Sequence, residues 1–255
     1  MIVFKNSHEY ELMKTSGMIL SKTMGFISTL IKPGTSLDLV DSQAQIFLKD
    51  HDAQPSFLGL YGFPYALCAS INHEVIHGFP SKNKQLHEGD IVSIDIGCNY
   101  KGYHTDMAFT FPVGEVSISR RKLIKVTQQS LFNGIAQAKK GSCIGNIANA
   151  VQQTAEENGY SVVRDYTGHG IGMNVHEDPQ IPNFGEKGRG STLQVGMALA
   201  IEPMVNEGSF QVRVLSDKWT VVTADGSDSA HFEHTVFINE SGPEILTEFK
   251  PGGLA

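Results

Sequence analysis

Leu86-His87-Glu88-Gly89-Asp90-Ile91-Val92-Ser93-Ile94-Asp95 decides the reading of this chain, because Leu193-Gln194-Val195-Gly196-Met197-Ala198-Leu199-Ala200-Ile201-Glu202 repeats its plan at a shift of 107 residues (Leu86 to Leu193). Leu, Gly and Ile recur at matching places, and each segment runs through apolar residues into a carboxylate. The same shift carries Lys32, Gly34 and Thr35 onto Lys139, Gly141 and Ser142. It also carries Leu37, Val40 and Ala44 onto Ile144, Ile147 and Val151, with Gln45 falling on Gln152. A fixed shift over well-separated stretches marks two copies of one α+β unit. A near-twofold pairing of the copies would set Asp95 and Glu202 at equivalent ends of central strands, facing one site. The shift becomes 127 for Asp106 and Glu233, so the second copy is expected to carry an insertion before its last strand.

Outward from these segments, Ser7 reads as the N-cap of a helix to about Leu30, with Leu12, Ile19, Phe26 and Leu30 on one face. Pro33-Gly34 stops it, and a second helix is expected from Ser36 to about His51. Residues 56–80 are rich in Gly and aromatics and read as turns and short strands. Ile91 to Ile96 and Thr105 to Phe111 read as two strands joined by a turn around Asn99-Tyr100-Lys101-Gly102, a hairpin that brings Asp95 and Asp106 to the same end. The second half repeats the order, with helices from near Ser119 and from about Cys143 to Asn158. Strands follow at Met197 to Ile201, Trp219 to Thr223 and Phe232 to Ile238. No linker divides the halves, which predicts one domain over 1–255 made of two pseudo-equivalent halves, about 7–112 and 117–247.

Composition is that of an ordinary globular chain: 255 residues, 40% hydrophobic and 18% charged. A net charge of −7 argues against a nucleic-acid surface, and the one compact basic run, Arg120-Arg121-Lys122, reads as a solvated helix face. Three cysteines without paired spacing favour a reducing compartment. No long apolar run or signal-peptide core is present, so a cytoplasmic protein with no membrane association is expected.

The chemistry lies in Asp95, Asp106, His169, Glu202 and Glu233, four carboxylates and one imidazole. A buried carboxylate without a partner is costly. One divalent ion rarely needs four such groups, whereas two neighbouring ions do, because bridging carboxylates offset their repulsion. His169 lies in Thr167-Gly168-His169-Gly170-Ile171-Gly172-Met173-Asn174-Val175-His176, where glycine on both sides permits close backbone approach. His176 is too far from His169 for a helical metal-binding pair, and His77 precedes Gly78 in a similar His-Gly pair. Alternation puts His231 on the face of Glu233 and His234 on the other, and neither is assigned a role. No serine-nucleophile elbow or phosphate-cradling loop is present.

Ile71-Asn72-His73-Glu74-Val75-Ile76-His77-Gly78, Val92-Ser93-Ile94-Asp95, Thr105-Asp106, Thr167-Gly168-His169-Gly170-Ile171-Gly172, His176-Glu177-Asp178-Pro179, Ile201-Glu202-Pro203-Met204 and Phe232-Glu233-His234-Thr235 together resemble the methionine aminopeptidases, from about residue 7 to residue 247. The short interval from His176 to Glu202 resembles the type I enzymes, and the lack of a zinc-binding N-terminal extension resembles the bacterial ones. The resemblance implies an α+β pita-bread fold, pseudo-twofold, with a curved antiparallel sheet flanked by helices. It implies two divalent ions (Co, Mn, Fe or Zn), with Asp95 on one, His169 and Glu202 on the other, and Asp106 and Glu233 bridging. It implies attack of a metal-bound hydroxide on the scissile carbonyl, with Glu202 as proton acceptor. His176 would polarise that carbonyl, and His77 would contact the scissile nitrogen. Nascent polypeptide N-termini with a small second residue are the implied partners, possible ribosome docking included, and a monomer is expected.

For the methionine pocket, Cys68, Phe63 and Trp219 fit the family's sulfur-tolerant, aromatic-lined pattern. Leu60 stands where Tyr is frequent and Val175 where Phe is frequent, which keeps the pocket apolar but changes its shape. Two other readings share the fold: a proline-specific aminopeptidase, which normally carries a further N-terminal domain, and a non-enzymatic binding scaffold, which would have lost ligands that this chain retains.

Overall fold

Asn6 sets the start of the first helix. Its side chain accepts from the backbone N–H of His8 and Glu9, and the Glu9 carboxylate accepts from Asn6 N at 2.7 Å, a reciprocal capping box. The cap thus falls one residue before Ser7. In this computed structural model, which describes residues 1–249, helix α1 spans Ser7–Ser28, two residues short of the expected end. The last six residues of the expected 1–255 domain lie outside the described residues.

After α1 come α2 (Leu37–Asp50), β1 (Gln54–Pro55), β2 (Leu67–Ile71), β3 (Glu74–Ile76), β4 (Ile91–Tyr100) and β5 (Tyr103–Pro112). The second half holds α3 (Ile118–Ile135), α4 (Ile144–Glu157), β6 (Ser161–Val162), β7 (Thr167–Gly170), β8 (Glu177–Pro182) and β9 (Ala198–Ile201). It continues with β10 (Met204–Asn206), β11 (Val212–Val214), β12 (Val221–Thr223), β13 (Ser229–His231), β14 (His234–Asn239) and β15 (Gly242–Ile245). The 107-residue shift recurs in three dimensions. Isolated bridges join Ser36 to Gln85 and Cys143 to Thr192. Gly34 N donates to Leu86 O at 2.7 Å, and Gly141 N to Leu193 O at 2.8 Å. Gly89 and Gly196 share a left-handed backbone, at φ 91° and 92°, which only glycine adopts without strain.

The strand pairs are antiparallel throughout the described residues. One sheet gathers β1, β4, β2 and β5; another runs β15-β14-β9-β7-β8; two three-stranded sheets, β13-β10-β6 and β11-β12-β3, complete the set. β4 and β5 form an unbroken ten-residue ladder that runs further toward the turn than the alternation predicts, closed by Lys101-Gly102 at φ 50° and 85°. Two left-handed residues give the hairpin turn whose twist matches the strands. The largest core cluster lies between helices and sheets and includes Leu20, Met24, Ile94, Phe109, Leu199 and Phe232. Each such side chain, once fully buried, contributes about 1.5–3 kcal/mol.

Three sequence readings change. The strand expected from Trp219 begins at Val221. The run Phe232 to Ile238 is broken, with β13 ending at His231 and β14 beginning at His234, so Glu233 sits in a two-residue kink. Arg120 is not simply solvated. Its Nε and Nη2 reach the Asp228 carboxylate at 2.7 and 2.9 Å, a bidentate pair that ties α3 to the loop before β13.

Candidate active site

Register brings the first two carboxylates together. Asp95 pairs with Ala108 and Gly97 with Asp106, so Asp95 and Asp106 are diagonal neighbours on one face of the β4–β5 ladder. β5 is then stitched to the second half. Asp106 N donates to Thr235 Oγ1 at 2.8 Å, Thr235 Oγ1 donates to Asp106 O at 2.9 Å, and Glu233 N donates to Ala108 O at 2.9 Å. These bonds fix Glu233 beside Asp106. Glu202 directly follows β9, whose neighbour β7 carries His169 opposite Ala200.

The glycines around the histidines are explained by crowding. A Cβ on Gly168 would collide with Ala200 O, one on Gly170 with Asp178 O, and one on Gly78 with Ala69 O. β7 can therefore lie between β8 and β9 only with glycine on both sides of His169. His77 itself adopts φ 58° ahead of Gly78. His176 lies in the tight loop between β7 and β8, its ring edge-on to His169 with centroids 4.5 Å apart. A buried ion pair holds that loop, with Lys5 Nζ 2.7 Å from Glu177 Oε2 and side chains 3% and 6% exposed. Glu177 Oε1 also accepts from Asn174 N, and Gly172 makes room for the lysine stem.

Oxygens and nitrogens of Asp106, His169 and Glu233 lie within 4.8 Å of one another. Asp95 Oδ1, Asp106 Oδ1 and Glu233 Oε1 are buried without a hydrogen-bond partner among the described residues. Burial is the first cause that raises all four carboxyls, Asp106 to about 7 and Asp95, Glu202 and Glu233 well above the usual range, with mutual repulsion adding to the last three. Two unit charges 4 Å apart repel by about 4 kcal/mol at an effective dielectric of 20. No Lys or Arg among the described residues forms an ion pair with any of the four. The nearby imidazoles do not compensate, since burial holds His169 down to about 4 and His231 to about 3.

The orientation of His169 sharpens the point. Its Nδ1 donates to Gly170 O at 2.9 Å, so in the neutral ring Nε2 carries a lone pair, and that atom faces Glu202 Oε1 at 3.6 Å. Two acceptors face each other across a gap that suits a cation. Partnerless buried oxygens, an aimed lone pair and an oxygen-rich donor set together fit divalent ions.

A cavity of about 660 Å³ joins this cluster to an apolar chamber. Its lining includes all five candidate ligands, His77, His176, and Leu60, Phe63, Cys68 and Trp219. Phe63 meets Trp219 edge-on at 5.1 Å, and burial raises the Cys68 thiol, which stays protonated and apolar. Val175 does not line the cavity; it belongs to the cluster with Phe57, Phe63 and Cys68 that backs the wall. The strand β12 pairs with β3, which sets Trp219 6.3 Å from His77, ring to ring. Burial, then His176, lowers His77 to about 4, and burial lowers His176.

Three residues to which sequence reasoning gave no role lie against the catalytic histidines or Glu202. His231 is fully buried, with Nε2 3.7 Å from Glu202 Oε2. Alternation had placed it on the correct face, and that was the available signal. Tyr166 packs edge-on to His77 at 5.8 Å, and Tyr61 stacks on His176. Tyr61 lies inside Gly59-Leu60-Tyr61-Gly62, whose paired glycines were the only hint.

A family model described as metallopeptidase family M24 matches residues 11–240. The chain is 52% identical to a methionine aminopeptidase of Clostridium perfringens, over 98% of this chain and all of that one. Among solved structures, a methionine aminopeptidase from Thermotoga maritima superposes with a TM-score of 0.96 at 45% identity, covering 97% of this chain and 100% of that one. A prolidase from Pyrococcus furiosus shares the fold at TM-score 0.80 and 23% identity, and only 66% of its length is covered.

Proposed function

The chain belongs to metallopeptidase family M24 and, within it, to the methionine aminopeptidases, and from that membership we propose how its residues divide the work. It has the pita-bread fold, and it hydrolyses the bond that follows an N-terminal methionine. The observation that carries the reading is a single cavity in which partnerless buried carboxylates open onto an aromatic-walled apolar chamber.

Asp95, Asp106, His169, Glu202 and Glu233 would hold two divalent ions, drawn from Co, Mn, Fe or Zn, with Asp106 and Glu233 shared between them. Ions bound there would acidify water and offset the negative charge that develops on the scissile carbonyl. His176 donates an N–H to that carbonyl oxygen, a contact that strengthens as charge develops. His77 contacts the scissile nitrogen. Glu202 takes the proton of the attacking water at a carboxylate oxygen and returns it to the departing amine. Phe63, Cys68, Trp219 and Leu60, backed by Val175, enclose the methionine side chain and exclude water. We take 1–255 as one catalytic domain of two pseudo-equivalent halves, about 7–112 and 117–247. It acts as a cytoplasmic monomer on nascent chains with a small second residue, at or near the ribosome. Among the described residues no helix is long and apolar enough to cross a membrane.

A peptide series tests this reading. Met-Ala-Ser should be hydrolysed well, Leu-Ala-Ser poorly and Xaa-Pro peptides not at all, with two ions per chain by elemental analysis. Equal kcat/KM for Met-Ala-Ser and Leu-Ala-Ser would defeat the pocket assignment. A single tightly bound ion at full activity would defeat the metal assignment.

A further inference from the structure

His176 can serve as a donor to a carbonyl only if its proton sits on the nitrogen turned to the substrate. A neutral imidazole has two choices, and the group bonded to the other nitrogen selects between them. Tyr61 is that neighbour. Its ring stacks on His176 with centroids 5.8 Å apart and planes 13° from parallel, and its hydroxyl lies 3.4 Å from His176 Nδ1.

The placement of Tyr61 is not one that burial would select. Its backbone is left-handed at φ 50°, between Gly59 at 85° and Gly62 at 88°, a conformation that strains a residue bearing a bulky side chain. The side chain remains 75% exposed at the rim of the main cavity, so no core contact explains the strain. The strained loop instead delivers one aromatic ring onto one catalytic imidazole.

We propose that Tyr61 is a positioning residue that stacks on His176 and donates its O–H to Nδ1, holding the proton on Nε2. A ring that accepts at Nδ1 has Nε2–H as its one donor, the tautomer required at the scissile carbonyl oxygen. The inference rests on the role assigned to His176 above, but its primary test needs no turnover.

The test uses zinc-loaded protein with ¹⁵N-labelled histidine, in wild type, Tyr61→Phe and His176→Ala, the last to assign the His176 signals. Long-range ¹H–¹⁵N spectra of the imidazoles should show His176 with an unprotonated Nδ1 in wild type. In Tyr61→Phe, which keeps the ring and loses only the hydroxyl, the same signals should move toward a mixture of tautomers. On Met-Ala-Ser, kcat should fall about fivefold, the size of one net hydrogen bond, with KM within about twofold. In a His176→Ala background, Tyr61→Phe should have no further effect. Unchanged His176 signals in Tyr61→Phe overturn the assignment, and so does unchanged kcat beside shifted signals. Failure of the aminopeptidase reading would look different, as absence of Met-Ala-Ser hydrolysis by the wild type.

Discussion

The two halves deliver their carboxylates by different covalent routes. In the first, Asp95 and Asp106 stand on one continuous hairpin, β4–β5, whose ten-residue strands are closed by a two-residue turn. In the second, Glu202 and Glu233 flank a pair, β9–β14, that has been opened to admit β10 through β13. The register has also moved. Ile94 pairs with Phe109, whose counterpart in the second copy is Val236, yet Ile201 pairs with His234. A two-residue slip keeps every side chain on its face, so the carboxylates still converge. The inserted strands do separate work: β12 crosses to pair with β3 of the first half and brings Trp219 to His77. One copy is a rigid holder of ligands, and the other holds ligands while building the substrate chamber.

The largest expected effect tests whether the two routes are equivalent in function. Asp106→Asn in the hairpin and Glu233→Gln in the kink should each lower kcat/KM by roughly 10³-fold or more and strip bound metal, since ligated ions contribute several kcal/mol. Elemental analysis beside kinetics decides; a mutant that keeps two ions and full rate removes its residue from the shared set.

Next in size is the division between His169 and His176, which lie on one strand–loop segment of the second half. His176→Ala should retain metal while kcat drops by roughly 10²-fold. His169→Ala should lose metal affinity. Equal metal loss in both would make His176 a ligand.

A smaller effect separates the halves by protonation in metal-stripped protein. The carboxyls titrate high in the fold, so their stabilising contribution is present at low pH and lost as pH rises through the folded values. Buried His77, His169 and His231 run the other way, contributing above about 6.5 and losing it as pH falls toward 4. Above pH 6.5 the carboxyl effect stands alone. Urea midpoints of the stripped protein should fall between pH 6.5 and 8, by on the order of 1 kcal/mol per pH unit, and metal should abolish the trend. Asp106→Asn should flatten the part near pH 7, and Glu233→Gln should also make the fall shallower. Midpoints that climb over this window would refute the picture of uncompensated carboxyls.

The smallest effect concerns the chamber. Leu60→Tyr should sharpen the preference for Met over Leu by about tenfold, within the 1–3 kcal/mol that one methylene-sized change commands. Metal content should stay the same. Looser discrimination would mean that Leu60 does not shape the wall.

The hairpin was legible because alternation survives over its whole length and its turn has a glycine signature, and the repeat placed α4 to within a residue at each end while only the start of α3 was read. What escaped notice depends on contacts the chain order hides. The break at Phe232-Glu233 lies inside a run that reads as one strand, because the bonds to Ala108 and Asp106 that bend it come from the other half. Arg120 looks like a surface charge until Asp228 arrives from over a hundred residues away. His231 had its face predicted and its importance overlooked, since the acid it faces, Glu202, precedes the inserted strands. Tyr61 resembles any exposed loop aromatic, and only the backbone angle shows that its position is enforced.

The Lys5–Glu177 pair carries a consequence for the order in which the protein becomes competent. Its partners are 172 residues apart, and it closes on the loop that bears His176. During synthesis at about 5–20 residues per second, Lys5 is made roughly 10 to 30 seconds before Glu177. Throughout that interval its ammonium remains in water, and the segment before α1 has nothing to anchor it. Lys5 is therefore made early and buried late, and the loop that bears His176 is held only when the segment ahead of α1 has been gathered in by the second half.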